Sequence, residues 1–395
     1  MTIEELVTSI EALLEGRTNR SDEAAIIELL RSAEDTELDA ALVRLDLARV
    51  IGDVDNRLFG PDHSTALLDL LTRERVGVLS IEARAGLVAA LQRGRTSSRD
   101  EAAISNILLA TTGSSLTALK NAIDAGHDHR DLQQLIFCDI DDDDMRDALL
   151  THFAEQARSV EQHEVKVLSD IDDTFYANWK DERFPKKTIY PGVRQLYVEL
   201  DRGPTEAGRM GDLAFVTARP KDRPGLVECA THESLGERGI GCAVVLAGSF
   251  FYLLSNDSIA EKKLANFVDY ARLFPEYEFV FIGDSGQGDI VFGRQMRERE
   301  PERVRAVFIH DVVATPDPDR LARRQEGIIL FDTYVGAACE ALELGLISVH
   351  GLERILTTAQ EELALVPFCD DHQRTARLAD LARDETRARH LILCS

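Results

Sequence analysis

The chain is poor in several things at once. It has one tryptophan, six cysteines, eight lysines, and no apolar run approaching the roughly 18 residues that a membrane span requires. Cys138, Cys229, Cys242, Cys339, Cys369 and Cys394 form no Cys-x-x-Cys pair. Neither a zinc site nor a disulfide framework is therefore expected, and reduced thiols in a cytoplasm fit best. The start, Met1-Thr-Ile-Glu-Glu, lacks the basic and apolar stretches of a signal peptide. The expectation is a cytoplasmic protein, at most peripheral to a membrane. Positive charge is scarce too: 45 Lys and Arg stand against 70 Asp and Glu, a net charge of -25. Nonspecific nucleic-acid binding, which rests on Lys and Arg neutralising phosphates, is excluded as a role. Adsorption of the chain as a whole to anionic lipid is disfavoured unless a divalent cation bridges the two.

What remains is an ordinary globular composition, 44% hydrophobic and 29% charged over 395 residues, enough for two or three domains. Residues 1–160 read as an all-helical domain, with apolar spacing of three and four in Ile26-Leu29-Leu30 and Leu67-Leu68-Leu71. The stretch Gly16 to Ile26 returns as Gly94 to Ile104, so the domain is read as two copies, about 16–90 and 94–158. Asp22 and Asp100 are expected in the first turn of a helix, where a carboxylate favours the positive dipole end. The Gly-x-Thr loop and the Asp-Glu-Ala-Ala-Ile helix start resemble the annexin repeat, whose loops bind calcium. Here there are two copies rather than four, and the glycine spacing differs. A scaffold that binds a protein partner is the stronger expectation, and the run Asp141 to Asp144 reads as a solvated helix start.

From Val165 the pattern changes. Apolar strands at Val165–Leu168, Leu213–Val216, Ala243–Leu246, Phe279–Ile282 and Ala306–Ile309, with a further one at Gly327–Phe331, alternate with helical stretches. That alternation implies a parallel sheet covered on both faces, with ligands bound outside the carboxyl ends of its strands. Residues 161–395 are read as this α/β domain, closed by helices after residue 335.

The polar residues gather at those ends: Asp170-Ile-Asp172-Asp-Thr174, Thr217-Ala-Arg219-Pro220, Glu261-Lys262-Lys263, and Gly283-Asp284-Ser-Gly-Gln-Gly-Asp289. Mg²⁺ takes carboxylate oxygens, waters and a phosphate oxygen, and Asp170, Asp284 and Asp289 can supply the carboxylates. A carboxylate beside it can attack phosphorus. A second one two residues on can protonate the leaving oxygen. A hydroxyl and an ammonium can bind the charged phosphoryl oxygens.

In order and spacing these four stretches resemble the haloacid dehalogenase superfamily of phosphatases. The resemblance implies a Rossmann-like domain with Mg²⁺ as cofactor, Asp170 as nucleophile and Asp172 as general acid and base. It implies Thr217 and Lys263 as catalytic phosphoryl binders, with Lys262 the alternative lysine. Thr174, which also supports the loop, Arg219 and Lys262 are placed on the substrate side, and Asp170, Asp172, Asp284 and Asp289 around the metal. Ser169 to Thr174, Tyr190-Pro-Gly-Val193, Phe274-Pro275 with Phe279 to Gly286, and Val307-Phe-Ile-His-Asp311 are similar to the catalytic domain of the actin-patch-associated and lipin-like phosphatidate phosphatases, over about residues 163–345. Two departures stand out: Thr217-Ala-Arg219-Pro220 replaces Ser-Ala-Ser-Pro, and His310 stands in an expected arginine position.

The gaps from Thr174 to Pro191 and from Thr217 to Lys263 are too short for a full cap domain, so the site is read as having a small cap or none. A flap from Phe175 to Lys187, made basic by Lys180, Arg183, Lys186 and Lys187, favours a phosphate-bearing partner. The expected activity is hydrolysis of a phosphomonoester, with a lipid phosphate such as phosphatidate the leading substrate. A soluble metabolite or phosphoprotein is the alternative, as is a lipid-binding scaffold with a vestigial site.

Overall fold

The structure, a computed structural model, describes residues 1–54, 62–93, 96–124, 131–160, 164–206, 213–220, 244–248, 256–286 and 288–394. For residues 215–220, 244–248, 256–259 and 262 it describes the backbone alone. The chain divides into two units, Met1–Glu161 with Arg272–Glu276, and Gln162–Ala271 with Tyr277–Ser395.

The described residues of the first unit carry helices and no strand. The internal repeat is visible in how its helices begin. Arg20–Ser32 starts with Asn19 accepting from the Asp22 amide, while Asp22 returns a bond to the Asn19 amide. Ser98–Leu109 starts the same way with Ser97 and Asp100. Each arrangement satisfies amide groups that a helix start leaves without partners. The next helices, Asp35–Arg44 and Gly113–Asp124, keep the same 78-residue offset. So does a buried acid: Glu23 Oε2 holds His63 Nδ1 at 2.9 Å, and Glu101 Oε2 accepts from the amide of Asp141 at 3.3 Å. Asp142 caps Asp143–Ala157 by accepting from the Met145 amide.

The second unit is built on six parallel strands: β1 (Val165–Ser169), β2 (Leu213–Pro220), β3 (Val244–Gly248), β4 (Glu278–Asp284), β5 (Val304–His310) and β6 (Ile328–Phe331). Their order is β3-β2-β1-β4-β5-β6, the Rossmann-like arrangement. Four of the five residues of β1 and six of the seven of β4 are buried, as central strands covered on both faces require.

On one face, Val167, Val280, Ile282 and Phe308 pack with residues from Val193–Arg202, Tyr334–Glu343 and Val349–Leu365. Phe267, Phe281 and Phe292 stack edge to face, bringing Asn256–Leu273 and Asp289–Arg299 together. The chain runs from β1 outward through β2 to β3, then returns to β4 on the other side of β1 and runs outward to β5 and β6. The carboxyl ends of β1 and β4 therefore flank the point where strand order reverses, the place at which such sheets bind ligands. The helix Asp317–Gln325, which the apolar spacing does not reveal, buries none of its residues.

Candidate active site

The end of β1 turns directly into the site. Ser169 pairs with Ile282 in register, and the Asp170 amide donates to the Ile282 carbonyl at 2.9 Å. Asp170 is thereby set beside Gly283 and Asp284 at the end of β4. Tyr197 OH lies 2.7 Å from Ser169 Oγ, which donates to the Asp170 carbonyl, so the turn is braced from beneath. Asp289 opens the helix Asp289–Arg299, where the positive dipole end suits a carboxylate, and its Oδ2 accepts from the Asp284 amide at 3.2 Å. Gly283 makes this approach possible: a Cβ there would lie 2.5 Å from Asp289 Oδ2 and 2.7 Å from Asp289 Cβ.

The result is a buried cluster. Asp170, Asp284 and Asp289 each offer an oxygen within 4.8 Å of the others. Lys263, reaching in from Asn256–Leu273, donates to Asp170 Oδ1 at 2.6 Å and Asp289 Oδ1 at 2.5 Å. Three carboxylates face one ammonium. Burial, opposed by Lys263 and reinforced by Asp289, pushes the Asp170 carboxyl up to about 7. Burial, with Asp289 and Asp170 beside it, holds the Asp284 carboxyl well above the usual carboxylate range. Burial disfavours the Lys263 ammonium, yet Asp170 and Asp289 outweigh it and raise its pKa above the usual lysine value.

A cation fits this set. Asp170 Oδ2 is buried without a hydrogen-bond partner, and buried carboxylates in excess of their counter-charge are the donor set of a hard divalent ion.

The other expected site residues are distributed differently. Asp172 is half-buried outside the trio, and its Oδ1 accepts from Asn178 Nδ2 at 2.7 Å. Thr174 is fully buried; its carbonyl accepts from Tyr334 OH, and its Oγ1 has no partner. Through that carbonyl it braces the loop, as expected of a loop-supporting residue. Thr217 and Arg219 lie at the carboxyl end of β2, next to β1, and residue 262 precedes Lys263 in the helix. The side chains of Thr217, Arg219 and Lys262 lie outside the described residues, as does most of the gap between Thr217 and Lys263.

Several positioning residues escape sequence reasoning. Asp173, read there as one acid among three, is fully buried with φ 60°, and its carboxylate collects the flap. It accepts from the amides of Asn178 at 2.7 Å, Trp179 at 3.0 Å and Lys180 at 2.7 Å. The flap then returns beside itself, with the Lys187 amide donating to the Ala177 carbonyl at 2.6 Å.

Phe184 packs edge-on against Tyr190 at 5.3 Å, whereas Trp179 stands in solvent. Arg183, expected among the cations facing a phosphate, is instead turned inward by Asp181, which accepts from its Nε and Nη2 at 2.9 Å each. Arg183 also donates to His310 Nε2 at 3.1 Å, and His310 Nδ1 donates to the Asp173 carbonyl at 3.0 Å. Burial and Arg183 push His310 down to about 4, so the ring is neutral and joins flap to loop as one donor and one acceptor. On the far side, Asp311 Oδ1 accepts from Ser285 Oγ at 3.0 Å, tying the loop after β4 to the end of β5.

No helix among the described residues is long and apolar enough to cross a membrane. No curated protein and no solved structure matches the chain. Residues 165–311 do match a family model, that of the catalytic domain of phosphatidate phosphatase APP1, and the matched stretch contains Asp170, Lys263, Asp284 and Asp289. That stretch of the chain is a phosphatase catalytic domain.

Proposed function

We propose that the second unit is a Mg²⁺-dependent phosphomonoester hydrolase of the haloacid dehalogenase type, acting through an aspartyl-phosphate on a lipid phosphate such as phosphatidate. The observation that carries this is the buried trio with Lys263 at the strand-order reversal, inside a stretch matching a phosphatidate phosphatase domain. Asp170, Asp284 and Asp289 would hold Mg²⁺, which would supply positive charge for the phosphoryl oxygens.

The rest falls to side chains. Asp170 attacks phosphorus: a bond from its carboxylate oxygen to phosphorus forms as the bond to the alcohol oxygen breaks. Lys263 keeps Oδ1 occupied, which leaves Oδ2 without a protein partner. Asp172 gives its proton to the departing alcohol oxygen. It then takes one from the water that attacks phosphorus and frees both phosphate and Asp170. The hydrogen bond from Asn178 fixes that carboxyl in the turn after the nucleophile. Thr217 and Arg219 are read as binders of the phosphoryl oxygens and substrate, and the helical first unit as a separate domain that binds a protein partner.

The test is phosphate release with and without Mg²⁺ from phosphatidate in mixed micelles, beside a soluble aryl phosphate. Release from the lipid well above the aryl ester, lost on chelation and in Asp170→Asn, is the expected result. Release from the aryl ester alone would sink the lipid assignment and keep the chemistry.

A further inference from the structure

On the flap beside the site, a large apolar side chain stands in solvent. Trp179, the single tryptophan of the chain, is 70% exposed. Its neighbourhood is not slack: Asp173 holds the amides of residues 178, 179 and 180, so the main chain is fixed while the indole projects. Lys180, Lys186 and Lys187 are exposed on the same flap, against one exposed acid, Glu182. With Arg183 committed to Asp181 and the Lys187 ammonium lying 4.5 Å over the Tyr176 ring, Lys180 and Lys186 are the outward cations of the flap, in a chain of net charge -25.

The tip also touches the acidic loop. A Cβ on Gly286 would lie 2.9 Å from Lys180 Cγ and 3.0 Å from Asp284 Oδ1, so the Lys180 stem crosses the backbone beside a carboxylate of the trio.

An indole has an apolar body and a polar N–H, and it settles at the headgroup level of a bilayer. Lysine stems lie along apolar surface while their ammonium groups reach lipid phosphates. Charges farther away than about 8 Å are largely screened at physiological salt, so a local excess of positive charge can meet an anionic surface that the whole chain would avoid.

We infer that the flap tip is the membrane-contact element of this protein. Trp179 enters the headgroup layer of an anionic bilayer, Lys180 and Lys186 engage its phosphates, and the acidic site is presented to a lipid phosphate in place. The inference rests on the lipid-phosphatase reading and specifies how that site meets its substrate.

The single tryptophan makes the test direct, because emission reports the flap tip alone. The full-length Asp170→Asn protein, with Mg²⁺ present so that lipid is bound but not consumed, is mixed with vesicles of phosphatidylcholine containing phosphatidate or phosphatidylserine. Expected are a blue shift, quenching by brominated lipid, reversal by high salt, and no change with phosphatidylcholine alone. Replacing two of the lysines, Lys180→Ala with Lys186→Ala, is expected to weaken vesicle binding about 30-fold. Unchanged emission with anionic vesicles overturns the inference. So does the same shift with inorganic phosphate alone, which would make Trp179 a reporter of site occupancy. Unchanged emission together with lipid turnover in micelles removes the membrane contact and leaves the activity; a blue shift without turnover of any lipid phosphate does the reverse.

Discussion

The two oxygens of Asp170 have different surroundings: Oδ1 carries Lys263 and Oδ2 carries nothing. Replacing the carboxylate by an amide keeps the shape and removes the nucleophile, so Asp170→Asn is expected to lower phosphate release at least ~1000-fold. Lys263 keeps Asp289 in that variant, and unfolding curves should show a folded protein. Gly283→Ala puts a carbon where Asp289 already lies, and is expected to cost about 1–3 kcal/mol in urea denaturation along with the activity.

His310 gives a pH signature. Its pKa falls from 6.5 to about 4 on folding, so between those values the unfolded chain binds the extra proton. Stability is full above pH 6.5 and declines as pH falls toward 4, by about 3 kcal/mol from this group alone. His310→Asn should remove that part of the slope when unfolding is followed against pH. Asp170, Lys263, Asp284 and Asp289 were legible as candidates because carboxylates at or just after strand ends, with a lysine on a helix between them, follow the order of the phosphatase motifs they resemble. Asp173 was not legible. Its role is set by a left-handed backbone and by amides six and seven residues ahead, neither of which residue type announces.

Among the elements, the flap has three consecutive amides, those of 178, 179 and 180, gathered by one carboxylate. Asp173→Ala leaves the amides of 178, 179 and 180 without their acceptor, and unpaired donors cost about 1–3 kcal/mol each when buried. Hydrogen exchange should show these three amides losing protection while β1 and β4 keep theirs. Asp173→Asn, which tolerates the same backbone and keeps one carbonyl oxygen, should fall between.

The strands were legible from continuous apolar runs, which a covered parallel sheet demands. The repeat was legible because both stretches spell the same helix start, and Glu23 and Glu101 each hold a residue 40 positions on. The helix Asp317–Gln325 was missed for the opposite reason. It has no apolar stripe, and Arg320 holds it through Asp311 and Asp332 at 2.6 and 3.0 Å.

For the molecule as a whole, the net charge and the buried trio make a joint prediction. A cation that binds only the folded site stabilises it by mass action, by about 2.7 kcal/mol at a hundred times its dissociation constant. Mg²⁺ should therefore raise a thermal midpoint by about 5 °C or more in calorimetry, and Asp289→Asn should abolish the shift.

The position of β1 has a further consequence, in time rather than space. Leaving the ribosome, the chain presents Asp170 first, Lys263 93 residues later, and Asp289 26 residues after that. The mutual repulsion of the three acids is absent while the first strands are laid down, and the lysine that tempers it emerges ahead of the last two. The central strand, with Lys166 its one charged residue, can be laid down before the three acids meet, and the electrostatic burden of the chemistry falls due only when most of the sheet is there to bear it.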